Sequence, residues 1–158
     1  MGSMYLAMGQ APVVLGDIGK NLEIMEGLIC EAQRDCEQDI DLIVFPELFI
    51  TGYNLRDNYH GVSEKIPGKG KAQSGMCRLA KTYNIHIATG IVEKAGKSLF
   101  NSAILIGPEG YIGHYRKQFL PNFGPFEEKM FFGEGNKTPV FETPFGKIGN
   151  QVSYAIFF

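Results

Sequence analysis

Asp41-Leu42-Ile43-Val44-Phe45-Pro46-Glu47-Leu48-Phe49-Ile50-Thr51-Gly52-Tyr53 decides how this chain is read. Asp41–Phe45 is a short, nearly continuous apolar run rich in β-formers, the pattern of a strand covered on both faces. Glu47 lies just past its C-terminal end, between apolar neighbours, in a partly desolvated setting that suits a carboxylate to accept a proton. A lone glutamate after a strand is ordinarily a surface or capping residue. Two further segments change that reading: Tyr115-Arg116-Lys117-Gln118-Phe119-Leu120 and Gly149-Asn150-Gln151-Val152-Ser153-Tyr154-Ala155-Ile156-Phe157-Phe158.

Around these segments the elements alternate. Met4–Ala11 reads as a first strand. Asp17 or Asn21 can cap a helix whose Leu22, Met25, Leu28, Ile29, Ala32 and Cys36 recur at spacings of three and four and form one apolar face. A weaker helical pattern, Ala72, Met76, Leu79, Ala80 and Tyr83, follows the loop Pro67–Lys71 and is interrupted by Gly75. Ile85–Glu93 and Leu99–Ile106 read as strands, and Gly107-Pro108-Glu109-Gly110 is a turn before the strand Tyr111–Lys117, which puts Lys117 at a strand end. Gln118–Thr138, rich in Phe, Pro and Gly, reads as a long ordered loop with room for one helical turn, and loops of this length usually carry function. Val140–Glu142 and Lys147–Val152 read as strands flanking a turn at Pro144-Phe145-Gly146.

Composition narrows the classes. A chain of 158 residues with 44% hydrophobic content is long enough for one domain with a substantial core. With 15 basic against 17 acidic residues and no basic run, nothing in the charge pattern calls for nucleic acid or an anionic membrane. No stretch approaches the ~18 consecutive apolar residues of a membrane span. Cys30, Cys36 and Cys77 lack metal-type spacing and read as reduced packing cysteines, which points to the cytoplasm. Met1-Gly2-Ser3 looks like an expression scar before a native Met4, leaving residues 4–158 as the domain. Gly90–Ser98 has five residues between its glycines where a phosphate-binding loop has four, and it joins strand to strand. Asn136-Lys137-Thr138 fits the glycosylation triplet, a match common by chance in a chain that shows no secretion signal. His60, His86 and His114 are scattered, with His86 in an apolar strand where a satisfied core imidazole is the better reading.

The three segments resemble the signature segments of the carbon–nitrogen hydrolase (nitrilase/amidase) superfamily, whose catalytic set is a glutamate, a lysine and a cysteine. The resemblance spans nearly the whole chain and implies the family's α/β architecture, an α-β-β-α sandwich. It also implies hydrolysis of a non-peptide carbon–nitrogen bond in a small-molecule amide or carbamoyl compound, less readily a nitrile, with no cofactor and no metal. Glu47 would then be the general base and Lys117 the oxyanion stabiliser. Glu128 would position substrate, with Glu127 beside it as the alternative register, and Tyr53 and Tyr154 would complete the binding set. The third segment departs from the family: Ser153-Tyr154-Ala155 stands where Cys-Tyr-Asp is expected, and the chain stops before the Pro-Glu that should follow. A serine nucleophile normally relies on a histidine base, which this stretch does not supply, so little or no turnover is expected. A ligand- or partner-binding homologue without catalysis is the alternative, as is a self-associating fragment. Glu47, Lys117, Glu128 and Ser153 are expected around one pocket. The domain is expected to be C-terminally incomplete, with one face of its sheet lacking cover, and therefore to form homo-oligomers.

Overall fold

The computed structural model describes residues 4–158; the scar expected at residues 1–3 lies outside them. The elements are β1 (Leu6–Met8), α1 (Ile18–Asp35), β2 (Leu42–Val44), α2 (Tyr59–Val62), α3 (Lys71–Tyr83), β3 (His86–Ala95), β4 (Ser98–Gly107), β5 (Gly110–Arg116), α4 (Glu128–Phe131), β6 (Val140–Thr143) and β7 (Gly146–Gly149). β1 to β5 form one sheet in sequence order. The first three strands are parallel and the last three antiparallel. Parallel neighbours need a crossover, which α1 and α3 supply, whereas the antiparallel neighbours are joined by tight turns.

Both helices lie on one face of this sheet. Met25 and Ile29 of α1 and Met76 and Leu79 of α3 are fully buried against Ile43, Ile87, Ile91, Ile104 and Ile106. Burying each such side chain contributes about 1.5–3 kcal/mol, so this layer holds most of the core's hydrophobic stabilisation. Asp17 caps α1, its carboxylate accepting the Lys20 N–H at 2.9 Å. Asn21, the other candidate cap, is instead a buried tie: it accepts from Val14 N at 2.7 Å and donates to Val14 O at 2.8 Å and Ile50 O at 3.0 Å. The helix is thereby fastened to the segment after β2.

The opposite face is covered by a second, two-stranded sheet, β6–β7. Phe141, Phe145 and Ile148 pack over Leu42, Ala88 and Leu105. Against the expectation of a sheet face lacking cover, the hairpin supplies it over those positions. Gly113 makes room for the contact, since a Cβ there would sit 2.1 Å from the Phe141 ring. The layers thus run helix, sheet, sheet. β7 ends at Gly149, three residues short of the expected strand end, because the chain turns at Ser153. His86 is buried as expected, with Nδ1 3.2 Å from Asp41 O. No helix among the described residues is long and apolar enough to cross a membrane.

Candidate active site

Glu47 sits on a corner that the sheet itself shapes. After β2, Phe45 N bonds Ala88 O and Pro46 O accepts Gly90 N, so the chain still runs beside β3. Leu48 then adopts a left-handed φ of 50°, and the Thr51 and Gly52 amides close back onto its carbonyl at 3.1 and 2.7 Å. Such a conformation in a leucine costs on the order of 1 kcal/mol and persists only where the surroundings fix it. Leu48 is fully buried, which supplies that restraint.

Lys117 follows β5 directly. Its N–H bonds Asn101 O at 2.8 Å and its carbonyl accepts Gly135 N at 2.9 Å, so backbone contacts hold it on both sides. Its side chain is 0% exposed. The ammonium bonds Oε1 of Glu47 at 2.7 Å and Oε1 of Glu128 at 2.8 Å. Glu128 opens α4 inside the long loop and is 3% exposed. Of the two adjacent glutamates, Glu128 therefore meets Lys117, while Glu127 is exposed.

One ammonium between two carboxylates leaves a net negative cluster out of contact with most of the solvent. Two neutral donors offset it. Asn101 Nδ2 donates to Glu47 Oε1 at 2.6 Å, and the Tyr53 hydroxyl donates to Glu128 Oε1 at 2.5 Å. Burial, with the Glu128 hydrogen bond second, raises the Tyr53 pKa well above its ordinary value, and burial pushes Tyr59 up to about 12, so both phenols stay protonated donors at neutral pH. Tyr59 donates to Tyr53 O and packs between Phe131 and Phe132, tying the Tyr53 loop to α4. Asn101 and Tyr59 are the residues sequence reasoning missed. Asn101 left a trace: it is the polar residue on a strand face otherwise made of Leu99, Ala103 and Leu105.

A cleft of about 600 Å³ opens over this cluster. Glu47, Tyr53, Glu128, Ser153 and Tyr154 all line it, with Phe123, Phe126, Ile156 and Phe157 as apolar walls. Lys117 lies beneath, reached through the two carboxylates. The Glu128 Oε2 atom is buried without a hydrogen-bond partner. Ser153 is exposed and has a left-handed φ of 48°, directly after an extended Val152 and at the start of a 3-10 turn. Its hydroxyl therefore stands at the cleft wall, on a sharp corner where extended backbone enters the turn. Ala155, in the position where the resemblance implies aspartate, is buried.

Residues 5–158 match the profile of the carbon–nitrogen hydrolase family. The chain is 38% identical over 142 residues to a nitrilase of Pyrococcus abyssi, covering 88% of this chain and 51% of that protein. It is 40% identical over 93 residues to a beta-ureidopropionase of Arabidopsis thaliana, covering 56% of this chain and 23% of that protein. Among solved structures, a double mutant of the amidase from Nesterenkonia sp. AN1 in complex with acrylamide superposes with a TM-score of 0.81 at 25% identity, covering 98% of this chain and 57% of that one. The chain spans about half the length of the curated relatives it matches over most of its own length.

Proposed function

The chain belongs to the carbon–nitrogen hydrolase family, and from that premise we propose that its cleft is built to act on a non-peptide carbon–nitrogen bond, in an amide or carbamoyl compound before a nitrile. The observation that carries the reading is the Lys117 ammonium bridging Glu47 and Glu128 beneath a cleft whose wall bears Ser153. In hydrolysis, Glu47 takes the nucleophile's proton as the nucleophile attacks the acyl carbon. Lys117 stabilises the charge developing on the carbonyl oxygen, and Glu128, with Tyr53, holds the substrate and the ammonium in place. The two carboxylates that line the cleft support an amide over a nitrile, because an amide brings N–H donors for them and a nitrile brings none. The acrylamide complex of the Nesterenkonia amidase agrees with that preference.

Ser153 limits the chemistry. A serine hydroxyl is a weak nucleophile without a strong base beside it, and no histidine lines the cleft among the described residues. That observation favours a second reading, a site that binds an amide and turns it over slowly or not at all. Ammonia release and calorimetric binding, measured with acrylamide and acrylonitrile, separate the readings. We expect amide binding that Glu128→Gln weakens, and negligible ammonia release. Robust amide hydrolysis abolished by Glu47→Gln would show that serine is a competent nucleophile here. Absence of amide binding, or tighter binding of the nitrile, would overturn the substrate class.

A further inference from the structure

The two carboxylates are held in the same way. Each gives its Oε1 to the Lys117 ammonium, and each receives a second, neutral donor on that same oxygen. For Glu47 the second donor is the Asn101 amide at 2.6 Å. No donor among the described residues reaches Glu47 Oε2 within hydrogen-bond distance.

Asn101 is fully buried, and its own Oδ1 has no partner. An unsatisfied buried amide oxygen opposes folding, so an apolar side chain would be the more favourable occupant of this strand face unless the NH₂ group were needed. The carboxylate also fixes which way the amide points: turned over, it would set two acceptor oxygens against each other at 2.6 Å. Asn101 and Lys117 are joined through the backbone as well, by Lys117 N–H to Asn101 O at 2.8 Å. A displacement of Asn101 would therefore move both donors to Glu47 together.

We propose that Asn101 is a positioning residue for Glu47: with Lys117 it clamps Oε1, so that Oε2 alone faces the cleft as the oxygen that takes the nucleophile's proton. This rests on the reading of Glu47 as the general base. The clamp restricts the carboxylate to one rotation, and that restriction, rather than contact with substrate, is its contribution.

The test gives the site a nucleophile whose reaction can be followed without turnover. In the full chain carrying Ser153→Cys, iodoacetamide alkylates the introduced thiol: the S–H proton passes to Glu47 Oε2, the S–C bond forms, the C–I bond breaks and iodide leaves. Peptide mass spectrometry separates this site from Cys30, Cys36 and Cys77. Asn101→Leu in that background is expected to slow alkylation about tenfold and to change the pH profile of its rate, because the carboxylate has lost the donor that fixes its rotation. The other titratable groups facing Glu47, Lys117 after β5, Glu128 of α4 and Tyr53 of the loop after β2, are unchanged in the variant. Asn101→Ala removes the same donor without an apolar branch against the carboxylate and is read in the same way if the leucine variant does not unfold cooperatively. Glu47→Gln is expected to slow alkylation further than either. An unchanged rate and pH profile in the Asn101 variants, beside a slow Glu47→Gln, overturns the clamp and leaves the base assignment standing. An unchanged rate in Glu47→Gln overturns the base assignment and the clamp with it.

Discussion

Gly90 lies directly beneath the Glu47–Leu48 peptide: a Cβ built on Gly90 would sit 1.9 Å from Leu48 N and 2.9 Å from Glu47 Cα. Both obstructing atoms are backbone, so no side-chain rotation can relieve the contact. Gly90→Ala is expected to lift the corner that carries Glu47, costing about 1–3 kcal/mol in denaturant unfolding and weakening amide binding together. A variant as stable as the parent would show that the corner is looser than its hydrogen bonds imply.

Removing the ammonium should be worse than removing either carboxylate. Lys117→Met leaves Glu47 and Glu128 facing each other without a shared counter-charge, and breaking a buried ion pair in this way typically costs about 3–5 kcal/mol. Pairing it with Glu128→Gln should recover part of the loss, since one of the repelling charges is then gone. Strict additivity in the double-mutant cycle would contradict the bridged geometry.

On the helix-covered face, Glu93 is buried and accepts from Ser102 Oγ at 2.7 Å and from the Arg116 guanidinium, with His114 Nε2 3.4 Å away. Burial alone would raise its pKa, but the hydrogen bonds from His114, Arg116 and Ser102 outweigh that and hold it at about 2. A carboxyl depressed in the folded state stabilises the fold above its ordinary value of 4.5 and loses that contribution as pH falls toward 2. Thermal unfolding between those limits should therefore fall more steeply with acid than in Glu93→Gln. That variant should also be destabilised by about 2–3 kcal/mol at neutral pH. Parallel acid profiles for the two proteins would remove Glu93 from the account.

Homo-oligomer formation is expected from what the second sheet leaves bare. Val140, Ile156, Phe157 and Phe158 are all exposed, with Phe157 at 77%, and β1 presents an edge with Leu6 and Met8 outward. Apolar surface of this kind, next to an unpaired strand edge, favours pairing with another copy. Sedimentation at micromolar concentration should show species larger than the monomer. A compact monomer that unfolds cooperatively would show that these side chains are tolerated in water.

The parts of the fold visible in the sequence were those set by periodicity. The faces of α1 and α3, the apolar β2 and the turn before β5 each follow from local spacing. Glu47 and Lys117 could be singled out because a motif surrounded them. What could not be seen depended on distant contacts. Asn21 looks like a cap until the Ile50 carbonyl is placed beside it, and Phe141, Phe145 and Ile148 look like an ordinary hairpin until Gly113 lets them reach β5. The short helix Tyr59–Val62 has too few turns to show a period. Asn101 is the polar residue on its face of β4, and only the carboxylate that follows β2 gives it meaning.

Arg116 and Lys117 are consecutive, yet they leave β5 toward opposite faces, one to Glu93 and the other to Glu47 and Glu128. A slip of one residue in β5 would bring a guanidinium to the cleft and an ammonium to the helix-covered face, and neither carboxylate set would keep its geometry. The two pairings therefore act as a lock with two keys cut on adjacent teeth. Assembly of the sheet one residue out of register is rejected from both sides at once, and the fidelity of the site's chemistry is checked at a place that never meets the cleft.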